Sequence, residues 1–187
     1  MMKQNRTMPK GKLTATQYRR RKVQKVLGIL LKIVLVLSMI LFVWITDLGC
    51  AFGWIKNANA GENWPPSFVG YGEMMIAASV LLTAGAVLVF LRRNWISLSV
   101  GTVGIVLCLI PMFRVTAYAA DSGFYSRIMD MPVDTLYRMQ ILPTLIFYGA
   151  LAALALLQFF SVEAKQQRIQ KRKQAEAEAP SILGGAE

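Results

Sequence analysis

The side chains best able to do chemistry in this chain stand at the edges of its apolar runs. Asp47, Glu73, Arg114 and Arg138 each fall where such a run meets a polar flank. An acid and a guanidinium brought together there would pair across helices and fix their register; solvation of all four at a polar boundary is the competing expectation. Lys32 and Gln158 lie near the other edge. The chain contains no His, so a His general base, a His-ligated metal and a haem His are not open to it. Its two cysteines, Cys50 and Cys108, form no Cys-x-x-Cys. A disulfide between them is conceivable, and two small buried residues at helix contacts is the simpler reading. No Gly-x-Ser-x-Gly, phosphate-cradling glycine loop or carboxylate pair at helical spacing within an apolar run occurs. The expectation is a non-catalytic protein with no cofactor and no metal.

The elements that carry these residues follow from composition. Of 187 residues, 55% are hydrophobic and only 17% charged, with a mean hydropathy of +0.45. Soluble chains carry roughly 25% charged residues. The net charge of +11 is concentrated at the two ends. Four apolar runs, residues 26–46, 74–91, 95–113 and 139–162, are long enough to cross roughly 30 Å of hydrocarbon at about 1.5 Å per residue. In lipid they must be helices, because an isolated strand or loop would leave backbone N–H and C=O groups unanswered at several kcal/mol each. Lys32, the one charge in the first run, is close enough to its entry end to snorkel. Arg92-Arg93-Asn94 stops the second run, and Trp95 and Phe113 bracket the third as interfacial rings. Pro132-Val133-Asp134 reads as a helix start, and Pro143 is expected to kink the fourth run. The expected class is an all-α membrane protein, a four-transmembrane-helix bundle, with a basic segment at 1–25, the spans within 26–162 and a basic, then Ala/Glu-rich tail at 163–187.

Lys and Arg set the expected direction of threading. Lys3, Arg6, Lys10, Lys12, Arg19, Arg20, Arg21, Lys22 and Lys25 precede the first run, Arg92 and Arg93 fill the second turn, and Lys165, Arg168, Lys171, Arg172 and Lys173 follow the last. The other side receives only Lys56, Arg114, Arg127 and Arg138. The positive-inside rule then puts both termini in the cytoplasm, consistent with an even number of spans in a cell membrane, of bacterial type. A cleaved signal peptide at Ala58-Asn59-Ala60 is disfavoured, since the first run is too long and the site too far beyond it. Leu48-Gly49-Cys50 resembles a lipobox only loosely, because Asp47 stands where an aliphatic residue is wanted. Four-span proteins with paired outer loops include tetraspanin-like and claudin-like groups, whose Cys-bearing outer-loop signatures are missing here, so the chain is similar to them in architecture alone.

The outer segments are expected to be short and aromatic. Phe52, Trp54, Trp64, Phe68 and Tyr71 lie in the first, read as a turn-rich loop over residues 47–72, where an interfacial belt competes with a lid or docking surface. Tyr118, Phe124, Tyr125 and Tyr137 lie in the second, where residues 118–131 read as a short interfacial helix. Between spans, small residues at helical spacing are the expected contacts: Ser97 with Gly101, Gly104 with Cys108, and Gly149 with Ala153. The clusters Arg19, Arg20, Arg21, Lys22 and Lys25, Arg92 and Arg93, and Lys171, Arg172 and Lys173 suit anionic lipid head groups, each charge worth about 1 kcal/mol. Charge alone does not separate lipid phosphate from RNA phosphate, and no nucleic-acid partner is expected. The chain thus reads as an accessory or subunit that binds other membrane components. The alternative is a small transporter or channel subunit acting as a homo-oligomer.

Overall fold

The computed structural model describes residues 15–61, 64–122, 133–161 and 169. Among them every regular element is helical: α1 (Ala15–Ser38), a π-helical segment (Met39–Asp47), α2 (Leu48–Ala60), α3 (Ser67–Phe90), α4 (Asn94–Ser122) and α5 (Val133–Phe159). The first three run on as one rod. Four helices, Tyr18–Ala60, Ser67–Phe90, Asn94–Ser122 and Ile141–Phe159, are long and apolar enough to cross a membrane. Residues 28–159 form one compact unit, and the described residues outside it, 15–27, 160, 161 and 169, belong to a second. The tail from residue 170, with Lys171, Arg172 and Lys173, and the segment 123–132 with Phe124 and Tyr125 lie outside the described residues.

The helices begin and end differently from the apolar runs. The first outer segment is not loop as far as residue 60: the rod continues through Asp47, and α2 carries it past Lys56 and Asn57 to Gly61, whose φ of 72° ends the helix in a left-handed cap. Ala51, Trp54 and Ala58 explain the extension, since they recur at helical spacing and are buried. At the other end of α3, Arg93 N–H bonds the Leu88 carbonyl at 3.0 Å and Arg92 N–H bonds that of Val89 at 3.1 Å. This is a Schellman closure with Arg92, φ 59°, in the position that glycine usually takes. A side chain there costs about 1–2 kcal/mol.

Small residues bring the helices into contact. A Cβ on Gly72 would meet the Ala51 carbonyl oxygen at 2.7 Å, so α2 and α3 touch backbone to backbone. A Cβ on Gly85 would lie 3.3 Å from Gly101 Cα, which locks α3 to α4. Ser97 Oγ reinforces that crossing by donating to the Gly85 carbonyl at 2.7 Å. On the opposite flank of α4, the hydroxyls of Thr102 and Tyr148 share a hydrogen bond of 2.7 Å with α5. The core filling these contacts is Leu35, Val43, Phe68, Met75, Leu82, Met112, Phe147, Leu151 and Leu154, with almost no exposed surface.

At the end away from the Arg92–Arg93 turn, rings pack on one another. Buried Phe68 has Trp54 at 6.0 Å, Trp64 at 5.7 Å, Tyr71 at 6.0 Å and Tyr118 at 5.7 Å between centroids. The aromatic residues of the first outer segment therefore form a plug that joins α2, α3 and α4, with Phe52 alone of those on α2 facing outward. Tyr118 belongs to α4, which continues to Ser122.

Two substitutions probe these junctions by thermal unfolding in detergent. Gly85→Val is expected to lose about 1–3 kcal/mol by overpacking against Gly101. Arg92→Gly is expected to gain up to about 1 kcal/mol by removing the left-handed Cβ clash.

Candidate functional site

Asp47 is the last residue of the π-helical segment and has no exposed surface. A π-helix holds more residues in each turn and so rotates less per residue than an α-helix does, and such segments mark sites where a side chain is re-aimed. Here the wider winding is seen in the Leu48 N–H bond to the Val43 carbonyl, five residues back. Its effect is to bring the Asp47 carboxyl into the space where α4 and α5 meet the first rod.

Three helices contribute to the cluster. Thr144 Oγ1 of α5 donates to Asp47, 3.1 Å from Oδ1 and 3.2 Å from Oδ2. Cys108 Sγ of α4 donates to Oδ2 at 3.7 Å. Thr144 and Cys108 are themselves fully buried. Cys108 lies fourteen residues past Asn94, and Thr144 fifteen before Phe159, so both stand about 21–22 Å along their helices from the Arg92–Arg93 end. Thr144 directly follows Pro143, and Cys108 lies three residues before Pro111, each proline standing inside its helix. Prolines remove the N–H that would bind the carbonyl four residues earlier, and so loosen both helices beside the carboxyl.

The four edge residues of the sequence do not pair with one another. Glu73, Arg114 and Arg138 are exposed, while Asp47 is enclosed and held by a hydroxyl and a thiol. Burial decides the difference, since α2 goes on for another thirteen residues and carries Asp47 away from the polar edge and into the bundle. The packing residues divide. Ser97, Gly101, Gly104 and Cys108 all face inward, with Gly104 set against Leu82 at 3.1 Å for an added Cβ. Gly149 and Ala153 face outward, and a Cβ on Gly149 would meet nothing within 4 Å. Of the basic residues, Arg19, Arg20, Lys22, Lys25, Arg92 and Arg93 are exposed and Arg21 is half-buried.

Sequence reasoning missed Thr144 as a partner and read Cys108 as a helix-packing residue or, less simply, as half of a disulfide with Cys50. A single Thr is an unremarkable residue in a span, and its separation from Asp47 by 97 positions leaves no local trace. At the Arg92–Arg93 end, Asn94 Oδ1 and Gln158 Oε1 are buried with no hydrogen-bond partner. Trp95 stacks edge-on against Phe159 beside them, at 5.3 Å. Among the described residues no group of three or more acids, thiols or imidazoles is placed to hold a metal.

The class these observations define is an all-helical protein with four helices able to cross a membrane and, among the described residues, one enclosed carboxyl between three of them. No protein-family model, curated protein or solved structure matches the chain.

If Thr144 answers the Asp47 carboxyl, their substitutions must be coupled. Asp47→Ala and Thr144→Val are each expected to destabilise the purified protein by about 1–3 kcal/mol. The double variant is expected to lose about 1 kcal/mol less than the sum. Strictly additive melting shifts would contradict the pairing.

Proposed function

We propose that this chain is a multi-pass protein of a cell membrane that acts as a non-catalytic subunit, binding another membrane protein along the outer face of α5. Both termini and the Arg92–Arg93 turn lie on the cytoplasmic side in this reading. The support for that threading is the sharp excess of Lys and Arg on the flanks and turn that share this side.

The observation that carries the partner reading is the notch at Gly149 and Ala153. Leu142, Leu145, Ile146 and Leu156 on the same face of α5 are 40–49% exposed, and the two small residues sit in the middle of that apolar stripe. Lipid tails cover large side chains as well as small ones, so a lipid-facing surface has no need of a flat stretch. A partner helix does, because small residues let two backbones approach and multiply van der Waals contact where the hydrophobic effect is absent. The interior helices of this chain use that device at Gly72, Gly85, Gly101 and Gly104. Gly149 and Ala153 present the same device outward. They lie about 9–15 Å from the end of α5 at Phe159, which is near mid-bilayer in the proposed threading.

The basic flank supports the same reading from the lipid side. Exposed Arg19, Arg20, Lys22, Lys25, Arg92 and Arg93 suit the anionic head groups of a cytoplasmic leaflet.

Cross-linking in native membranes followed by affinity purification tests the proposal. The wild-type chain is expected to retain a reproducible hetero-partner, and Gly149→Leu to lose it by tenfold or more while its own melting temperature stays within the range of a surface substitution. Homo-oligomers alone, together with solute flux in liposomes, would favour a transporter or channel subunit instead.

A further inference from the structure

We propose that Asp47 is a reversible proton-binding site inside the helix bundle, with Thr144 and Cys108 as the two partners that serve it in both of its protonation states. This goes beyond the partner reading and does not depend on it. A carboxyl within a span is costly to enclose, and where one is kept it is paired or placed on an ion or proton path. Asp47 has no exposed surface, and no salt bridge reaches it from Arg114 or Arg138, which are exposed. Its partners among the described residues are uncharged. Cys108 faces it from α4, Thr144 from α5, and Cys50 is the next titratable residue on its own rod. From α3 the titratable side chains near that end are Glu73, which is exposed, and half-buried Tyr71.

The choice of partners is what points to proton exchange. Arg, Lys or a backbone N–H can only donate, so each would serve the carboxylate but could not accept the O–H of the acid form. A hydroxyl donates and accepts, and a thiol does both weakly. With Asp47 ionised, Thr144 Oγ1–H donates to the carboxylate and Cys108 S–H donates to Oδ2, as the distances of 3.1 and 3.7 Å describe. When a proton from water adds to one carboxyl oxygen, that O–H donates to Thr144 Oγ1, whose own hydrogen turns away; Cys108 still donates to the other oxygen. One O–H bond forms on Asp47 and one breaks in hydronium, and release reverses both. Only rotation about a hydroxyl is required, so the cluster accepts either state without moving a helix.

A proton fits this site better than a metal cation. Hard divalent cations take six or more oxygen ligands. Here two carboxyl oxygens and one hydroxyl are brought together, and no metal-holding group of side chains occurs among the described residues. The position suits exchange with one face, since Thr144 and Cys108 lie about 21–22 Å from the Arg92–Arg93 end of a slab roughly 30 Å thick. The loosened α4 and α5 backbones at Pro111 and Pro143 adjoin it.

Infrared difference spectra of the full-length protein in lipid nanodiscs, recorded between acid and alkaline buffer, read the proton directly. The wild type is expected to show a carboxylic-acid C=O band that appears on acidification and is lost on returning to alkaline buffer. Asp47→Asn, folded as judged by helical content and a single gel-filtration peak, is expected to lack that band. Thr144→Val keeps the acid and removes one partner, so the band is expected to persist at a shifted frequency; this variant carries the test if Asp47→Asn does not fold. A difference spectrum unchanged by either substitution would overturn the proposal. So would a band from Asp47 that stays constant across the pH range, which is the signature of a carboxyl that is only structural.

Discussion

An apolar surrounding offers no water, so a polar group that the fold encloses is costly unless the chain itself answers it. The backbone meets this demand by becoming helix. The side chains meet it locally: Ser79 and Thr83 return their hydroxyls to carbonyls four residues back, at 2.8 Å each. Asp47 is the extreme case, because a carboxyl has no hydrogen to give when ionised and cannot satisfy itself within its own helix. It needs donors from other helices, and the fold supplies them from α4 and α5. The π-helical winding, the inward face of Cys108 and the level at which Thr144 stands all meet in that requirement.

The same demand separates the inside of the bundle from its outside. Where helices must approach, glycine or serine is found at the crossing, as with Gly72 against Ala51 and Ser97 against Gly85. Where the chain faces outward, large apolar residues predominate, including Ile29, Leu30, Ile33, Val103, Val106 and Ile146. Gly149 and Ala153 break that outward pattern, and the proposed docking face rests on the break.

Much of the fold could be read from sequence, because apolar length is a strong signal and the four runs coincide with four long helices. The reading failed where tertiary contacts outweighed local polarity. Asp47, Lys56 and Asn57 made residues 47–60 resemble a loop, yet Ala51, Trp54 and Ala58 were already spaced to bury one helical face. That period was the available clue. The π-helical segment left none, since Met39–Asp47 is apolar until Thr46 and Asp47 at its end. The site was half readable: Asp47 and Cys108 could both be singled out by type, but their meeting with Thr144 depends on how three helices are rotated. Likewise the spacing of Gly149 and Ala153 marked a close-contact stripe, while the direction in which it faces comes only from the packed bundle.

The proposed loop assignments, depth of Asp47 and cytoplasmic place of the basic flanks all follow from a single threading. A topology reporter joined after residue 187, assayed in intact and permeabilised cells, tests it most directly. The four-span threading predicts a reporter reached only after permeabilisation, on the same side as a reporter placed in the Arg92–Arg93 turn. A reporter at residue 187 that is labelled on intact cells would contradict it.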